Sequence, residues 1–492
     1  MTQNISQPYL AESLANFAYE TRFNDLPPEV VRRVKIFTLD IVGAALAGSM
    51  ATLAKEETRR LLAKGARPES TIIGSQEKTI AEWASHLNGF QSELFDWTPD
   101  YLQLGHPSFS TIPPTLAVAE REKVDGKTFL TSVAVGYEIE CRLLDSYQSM
   151  FIRPEHLEAS IGAFGGAVGA AKEMGLSKEQ MTQTIAHAAY GGHWTLLGSL
   201  WSAIKYHGGG GIKVLVSTND VEMADYAKMG ITLPHQIFEG KLGYFEERAK
   251  RYGGKPHSHE RVREGLGKEW RMLLACYKPY PNTCNPMQGQ VEVTLDLMKE
   301  DQIRPADVDK VFVRISGAGQ NYSFAKPIKY KPPTWIMCGF STPYLVGVSI
   351  LKGRLTPAEF TDEVRTDPRV LDMVARVDGV EDEEFSKRWL KDMSKIPIEI
   401  TIWTKDGRKH SKYLDIPMGE PHSPKWNGDI NKWYKAIEDK FRTIAEDIPS
   451  YRKDADKIVD TAMNLEKLKN IKQFTKLLQK KTPTRYTINK GR

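Results

Sequence analysis

Hydrophobic residues recur every three to four positions through most of the first half of the chain. The stretches LAESLANFAYETRF (10–23) and PEVVRRVKIFTLDIVGAALAG (28–48) carry apolar residues at i, i+3, i+4 and i+7, the period of an amphipathic helix. DGKTFLTSVAVGYEIECRLLDSY (125–147) repeats the pattern. In GAFGGAVGAAKEMGL (162–176) small residues are so closely spaced that another helix could approach this one to short distance, which indicates a helix buried in a bundle.

The pattern changes near residue 275. VDKVFVRIS (308–316) alternates as a half-buried strand does, and IPIEITIWTKDGRKHSKYLDI (396–416) reads as two strands around a Lys-Asp-Gly turn. Helical periodicity lies between them and returns after 417, in INKWYKAIEDKFRTIAED and ADKIVDTAMNLEKLKNIKQFTKLL. Because two terminal helices alone would bury too little apolar area, we expect them to rejoin the first helical region.

These patterns predict a mainly α fold in which both chain ends form a large all-helical domain and the middle forms a smaller inserted α+β lid. The predicted boundaries are 1–274 and 417–492 for the helical domain and 275–416 for the lid. A length of 492 residues agrees with more than one domain.

Composition and charge narrow the class of protein. Hydrophobic residues make up 41% and charged residues 26%, and the net charge of +5 gives no nucleic-acid footprint. The sequence has no signal-peptide pattern and no apolar run of membrane-spanning length. Its four cysteines form no C-x-x-C pair or disulfide framework. We expect a cytoplasmic protein that binds neither nucleic acid nor membrane.

One polar stretch without helical or strand periodicity is the first candidate for chemistry. FDWTPDYLQLGHPS (95–108) places Asp96 and Asp100 ahead of His106, so a loop between helices carries two carboxylates and an imidazole. His156, in PEHLEASIG, precedes the glycine-rich helix. The structural alternative for His156 is a core histidine with satisfied hydrogen bonds.

Further candidates each have an ordinary structural alternative. KYHGGGG (205–211) joins Lys205 and His207 to four glycines, as an anion site or a flexible turn. In CYKPYPNTCNP (276–286), Lys278 is either a desolvated lysine with a lowered pKa or a surface lysine. FSTPY (340–344) offers Ser341 and Tyr344, which also fit a helix cap followed by a core tyrosine. The histidines and cysteines lack metal-ligand or cluster spacing, and no glycine-rich stretch matches a nucleotide loop, so we expect neither metal nor cofactor.

Taken in order, these segments resemble the MmgE/PrpD family, which includes 2-methylcitrate dehydratase, cis-aconitate decarboxylase and iminodisuccinate epimerase. The resemblance rests on FDWTPDYLQLGHPS, HLEASIGAFGGA, KYHGGGG, EGKLGYF, KPYP, FSTPY and GEPHSP, which span almost the whole chain. It implies a helical domain with an α+β lid, a homodimer, and a site in the cleft between domain and lid without metal or organic cofactor. The residues that match the family's motifs are Asp96, His106, His156, Lys278 and Tyr344.

The family resemblance implies proton transfer at carbon next to a carboxylate. We expect His106 and His156 to be the base and the acid, in either order, and Asp96 to be the group that orients an imidazole. Lys205, Lys278 and His207 are the expected cations. Tyr344 completes the predicted catalytic set. Asp100, Thr283 and Ser341 join His207 as predicted substrate-binding residues.

Two departures from the family pattern decide among its reactions. Thr283 stands five residues after Lys278, where the decarboxylase branch has a histidine, and Lys205 precedes His207 by two residues instead of three. The leading hypothesis is therefore a cofactor-independent hydro-lyase acting on a hydroxylated di- or tricarboxylate such as 2-methylcitrate. An epimerase or isomerase of a small dicarboxylate, a cis-aconitate-type decarboxylase and a non-catalytic carboxylate-binding homologue stay open, in that order.

Overall fold

The computed structural model describes residues 7–146, 158–191, 215–252, 258–316 and 328–488. Helices dominate the part before residue 275: α1 (Leu10–Glu20), α2 (Pro28–Ser49), α3 (Thr52–Leu62), α4 (Ala81–Glu93), α5 (Pro107–Glu122), α6 (Gly126–Asp145), α7 (Glu158–Glu173), α8 (Lys178–Gly191), α9 (Leu215–Lys228), α10 (Tyr244–Tyr252) and α11 (His259–Arg263). A short antiparallel pair, β1 (Ser70–Thr71) and β2 (Lys78–Thr79), lies beside α5.

Helix α7 lies inside this bundle, packed against α5, α6 and α9. Its small residues allow the close approach that their spacing predicts. A Cβ added at Gly136 of α6 would lie 2.3 Å from the carbonyl oxygen of Gly165 in α7, so the two backbones are in direct contact there.

The middle of the chain contains helices and one four-stranded mixed sheet. Strand β3 (Val308–Ser316) runs parallel to β4 (Val377–Asp382) and antiparallel to β5 (Ile398–Thr404), which pairs antiparallel with β6 (Lys409–Leu414). The predicted strand and hairpin are both present. The helices of this region are α12 (Gln288–Glu300), α13 (Trp335–Cys338), α14 (Thr342–Lys352), α15 (Asp362–Arg365), α16 (Pro368–Ala375) and α17 (Glu383–Lys391).

The last helices pack against the first ones. They are α18 (Ile430–Glu446), α19 (Pro449–Arg452), α20 (Ala455–Met463) and α21 (Lys472–Leu478). Helix α18 lies along α2, where a Cβ at Gly43 would contact the Phe441 ring at 3.2 Å and Lys440 pairs with Asp40. The single helix that the pattern of 455–478 predicts is instead two, because the backbone leaves helical geometry at Asn464 (φ −125°, ψ 27°).

The fold is mainly α with a small α+β region, as the sequence predicts. We propose residues 275–416 as the lid and the two flanking parts as one helical unit. In the described ranges, every helix is too short or too polar to cross a bilayer.

Candidate active site

The candidate site is built on the loop that connects α4 to α5. His106 occupies the N-cap position of α5, and Pro107 begins the helix. Asp96 adopts a left-handed backbone conformation (φ 44°), which is uncommon for a residue other than glycine and which the surrounding contacts must hold. Asp96, Asp100 and His106 are all buried.

Lys278 reaches this loop from the segment that precedes α12. Its ammonium lies 2.7 Å from Asp96 Oδ1 and donates to the backbone oxygen of Asp96 at 3.3 Å. The two segments are also joined by backbone hydrogen bonds between Asp100 and Cys276, at 3.0 and 2.9 Å. Lys278 therefore binds Asp96 at both its side chain and its strained backbone.

The pKa of Lys278 differs from the one that the sequence predicts. Burial lowers its pKa, but the carboxylates of Asp96, Asp100 and Glu93 raise it more, so the pKa lies above its usual value. The lowered pKa expected from desolvation was wrong, because three carboxylates from residues 93–100, far from Lys278 in the chain, lie near its ammonium. Lys278 is a permanent cation in this site and a poor proton carrier.

His106 faces carboxylates on one side and a hydroxyl on the other. Its Nε2 lies 3.5 Å from Asp100 Oδ2 and 3.7 Å from Asp96 Oδ1, while its Nδ1 lies 3.2 Å from Thr98 Oγ1. The Thr98 hydroxyl gives its proton to Glu93 Oε2 at 2.7 Å, so toward the imidazole it can only accept. This arrangement favours a proton on Nδ1 and leaves Nε2 as the basic nitrogen.

Asp100 is held in place from both sides. Its Oδ1 accepts hydrogen bonds from the backbone N–H of Gln103 at 2.6 Å and from Asn285 Nδ2 at 3.2 Å. Its other oxygen is the one directed at His106. The carboxylate of Asp100 is therefore buried and held in one position beside His106.

Sequence reasoning missed three residues that complete this cluster. Glu93 ends α4, Thr98 links it to His106, and Lys440 of α18 donates to the backbone oxygen of Trp97 at 2.8 Å. Thr98 lies within the stretch 95–108, but only its hydrogen bonds in the structure show that it connects Glu93 to His106. Lys440 is separated from Trp97 by 343 residues, and nothing local connects them.

A metal ion is also compatible with part of the cluster. Glu93, Asp96 and His106 each offer a ligand atom, and these atoms lie within 4.8 Å of one another. The Lys278 ammonium already supplies positive charge to Asp96 there. We therefore treat the cluster as a proton-transfer site.

Three of the remaining candidates make hydrogen bonds to backbone groups, and three lie outside the described residues. Ser341 caps α14 and also donates to the backbone oxygen of Lys329; Tyr344 is buried and donates to Glu359 O at 2.6 Å. Thr283 donates to Tyr280 O at 2.8 Å. His156, Lys205 and His207 lie outside the described residues.

Comparisons with known proteins agree over nearly the whole chain. Residues 12–251 match the model of the MmgE/PrpD N-terminal domain and residues 282–465 that of the MmgE/PrpD C-terminal domain. Human cis-aconitate decarboxylase is 22% identical, with 98% of this chain and 96% of that protein covered. The cis-aconitate decarboxylase of Aspergillus terreus is 23% identical, with 95% and 96% covered. A cis-aconitate decarboxylase-like protein of Aspergillus oryzae is 20% identical, with 97% and 99% covered. The two domain models match consecutive parts of the chain and together cover most of it, so this chain belongs to the MmgE/PrpD family.

Proposed function

We propose that this chain is a cofactor-independent lyase that acts on a small di- or tricarboxylate by proton transfer at the carbon next to a carboxylate. The observation that supports it most is the imidazole of His106. Its basic nitrogen faces Asp96 and Asp100 at 3.7 and 3.5 Å inside a buried cluster. An imidazole commonly serves as a general base near neutral pH, and the two carboxylates can stabilise the imidazolium that forms when it takes the proton.

The charge of the cluster determines what else the substrate needs. Glu93, Asp96 and Asp100 surround one ammonium, so the described cluster is negative overall when its carboxyl groups are ionised. An anionic substrate would be repelled unless further cations faced it. We propose that Lys205 and His207 supply them, while Lys278 holds Asp96 in position.

In the proposed dehydration, His106 Nε2 takes a proton from the carbon next to a carboxylate. The electron pair of that C–H bond forms the alkene as the neighbouring C–O bond breaks. The departing hydroxyl accepts a proton and leaves as water, and we propose His156 as its donor. General acid and base contributions of about 10²–10⁴-fold each are typical of such steps.

Dehydration of a hydroxylated tricarboxylate such as 2-methylcitrate is the reaction that we favour, because of Thr283. It stands where the decarboxylase branch has a histidine, and its hydroxyl donates to the backbone of Tyr280. A threonine engaged in this way cannot deliver the proton that decarboxylation requires at the new C–H bond.

Decarboxylation is the second candidate, and the named relatives favour it. The human and A. terreus proteins, which align over nearly the full length, are cis-aconitate decarboxylases. In that reaction the C–C bond to a carboxylate breaks, CO₂ leaves, and the electron pair forms a bond to a proton from the protein. An epimerase of a small dicarboxylate would use the same proton transfer with no group leaving.

The reactions are separated by NMR of the purified protein in D₂O with 2-methylcitrate, citrate, cis-aconitate, malate and an amino-dicarboxylate. We expect a new alkene signal and deuterium exchange with one hydroxy acid. CO₂ release from cis-aconitate would select decarboxylation, and exchange without alkene would select epimerisation. Binding of these acids without exchange or product would contradict the lyase proposal. The matched control is Thr283→His, which should raise CO₂ release only if that position carries the decarboxylase proton.

A further inference from the structure

A buried glutamate that the proposed reaction does not use lies behind Asp100. Glu420 belongs to the loop between β6 and α18 and is 3% exposed. The loop is fixed by its backbone, since Trp426 Nε1 donates to Glu420 O at 3.0 Å and Trp433 Nε1 to Gly419 O at 2.8 Å. Its side chain is therefore held inside the protein.

The carboxyl group of Glu420 has few partners. Its Oε2 is buried and makes no hydrogen bond within the described ranges. Cys276 is a close neighbour of this carboxyl group; its thiol donates to Asn285 Oδ1 at 3.7 Å, and its backbone pairs with Asp100. Glu420 thus sits against the strand-like pair that positions Asp100 beside His106.

Glu420 has two negatively charged neighbours and one positively charged neighbour. Asp100 and Asp392 oppose its ionisation, whereas Arg33 favours it. The Arg33 Nη1 already donates to the backbone oxygens of Leu273 and Ala275, at 2.8 and 2.9 Å. Burial first, and then Asp100, raise the pKa of Glu420 to about 8.

We propose that Glu420 is a positioning residue, kept as a neutral acid behind Asp100 so that the site can accept an anionic substrate. This rests on the proposed function insofar as the substrate is a carboxylate. An ionised Glu420 would add a further negative charge beside Asp100. That charge would oppose the binding of a di- or tricarboxylate.

The first test measures citrate binding by calorimetry from about pH 7 to about pH 9.5, where Glu420 ionises. In the wild type we expect the Kd to rise about tenfold across this range, and in Glu420→Gln, which mimics the neutral acid, to rise at most about twofold. Binding needs no turnover, so a protein that binds citrate but fails as a lyase would still test Glu420. Equal pH dependence in both proteins would overturn the proposal.

The control is Glu173→Gln. Glu173 is also buried, neither of its carboxyl oxygens has a hydrogen-bond partner in the described structure, and burial raises its pKa. Its charged neighbours, however, are Glu122 and Arg121 at the C-terminal end of α5, not Asp100. We expect this variant to keep the wild-type pH dependence of citrate binding. If it removed that dependence as Glu420→Gln does, the effect would not be specific to Asp100 and the proposal would fail.

Stability gives a readout that does not involve any ligand. A carboxyl group whose pKa is raised by folding stabilises the protein fully below its unfolded value, and that contribution is lost as pH rises through the folded pKa of about 8. We therefore expect the Tm of the wild type to fall relative to that of Glu420→Gln between about pH 5 and about pH 8. A constant difference would contradict a neutral Glu420. If Glu420→Gln does not fold, Asp100→Asn should shift the end of this window to lower pH, and an unshifted window would overturn the proposal.

Discussion

Two buried lysine–aspartate pairs lie close together in this protein and behave in opposite ways. Lys278 is 2.7 Å from Asp96, and Lys440 is 2.7 Å from Asp40. The pKa of Lys278 is raised above its usual value, whereas the pKa of Lys440 is lowered. Distance and burial are nearly the same, so neither explains the difference.

The number of neighbouring charges does explain it. Lys440 is desolvated by burial, has one carboxylate partner and is repelled by Lys278. Burial also raises the pKa of Asp40, so both members of this pair are shifted toward their neutral forms. Lys278 faces three carboxylates, and their sum outweighs the cost of burial. An ammonium that keeps its charge marks the pair that belongs to the proposed site.

The two pairs are nevertheless connected. Lys440 donates to Trp97 O and lies 4.7 Å from the centre of the Trp97 ring. Trp97 stands between Asp96, which binds Lys278, and Thr98, which contacts His106. We interpret the Asp40–Lys440 pair as a support for the loop and the Asp96–Lys278 pair as part of the site.

The difference between the two lysine–aspartate pairs is tested most strongly by the variant Lys278→Met. We expect kcat/KM to fall about 10³-fold, because Asp96 loses the contacts that hold its side chain and backbone and three carboxylates lose their cation. Steady-state kinetics with the substrate found by NMR would measure it. Lys440→Met is the matched control and should cost less than about tenfold in kcat/KM. Equal losses in the two variants would remove the distinction between the pairs.

A second test concerns stability. Lys440→Met should lower the free energy of unfolding by about 3–5 kcal/mol, because it leaves the buried Asp40 without its partner. The double variant Asp40→Asn/Lys440→Met should recover most of that loss, since no uncompensated charge then stays buried. Urea unfolding measures both. A double variant as unstable as the single one would show that the pair contributes through packing and not through charge balance.

Thr98→Val, a nearly isosteric change, sharpens the assignment of the basic nitrogen. The change removes the oxygen that accepts from His106 Nδ1 and the hydroxyl that donates to Glu93. Loss of a hydrogen bond worth about 1.4 kcal/mol in the transition state would lower kcat about tenfold. We expect KM to change little and the pH profile of kcat to shift, because the tautomer of His106 is no longer fixed. An unchanged profile would mean that Thr98 does not orient the imidazole.

The smallest effect is expected from Tyr344→Phe. The hydroxyl donates to Glu359 O at 2.6 Å within the α+β region, so its removal should cost about 1 kcal/mol of stability. We expect kcat to stay within about twofold of the wild type. Thermal unfolding and kinetics together check this. A large loss of kcat at unchanged Tm would instead support the catalytic role that the family resemblance implies for Tyr344.

Local patterns in the sequence predicted the architecture well and the site in part. Helices, the sheet hairpin and the loop with Asp96, Asp100 and His106 are visible because each depends on residues near in sequence. The break at Asn464 was not, since the hydrophobic period continues through it. The charge state of Lys278 and the role of Lys440 depend on carboxylates and a carbonyl contributed from distant segments, which only the folded arrangement reveals.

The central claim is that His106 exchanges a proton with carbon next to a carboxylate. The most direct measurement is the rate of deuterium incorporation from D₂O into the substrate, compared between the wild type and His106→Asn by NMR. We expect the wild type to incorporate deuterium into the substrate during turnover. In His106→Asn this rate should be lower by about 10²–10⁴-fold, because the amide cannot act as a base, while the Tm should change little. Exchange at the wild-type rate in His106→Asn would contradict the account.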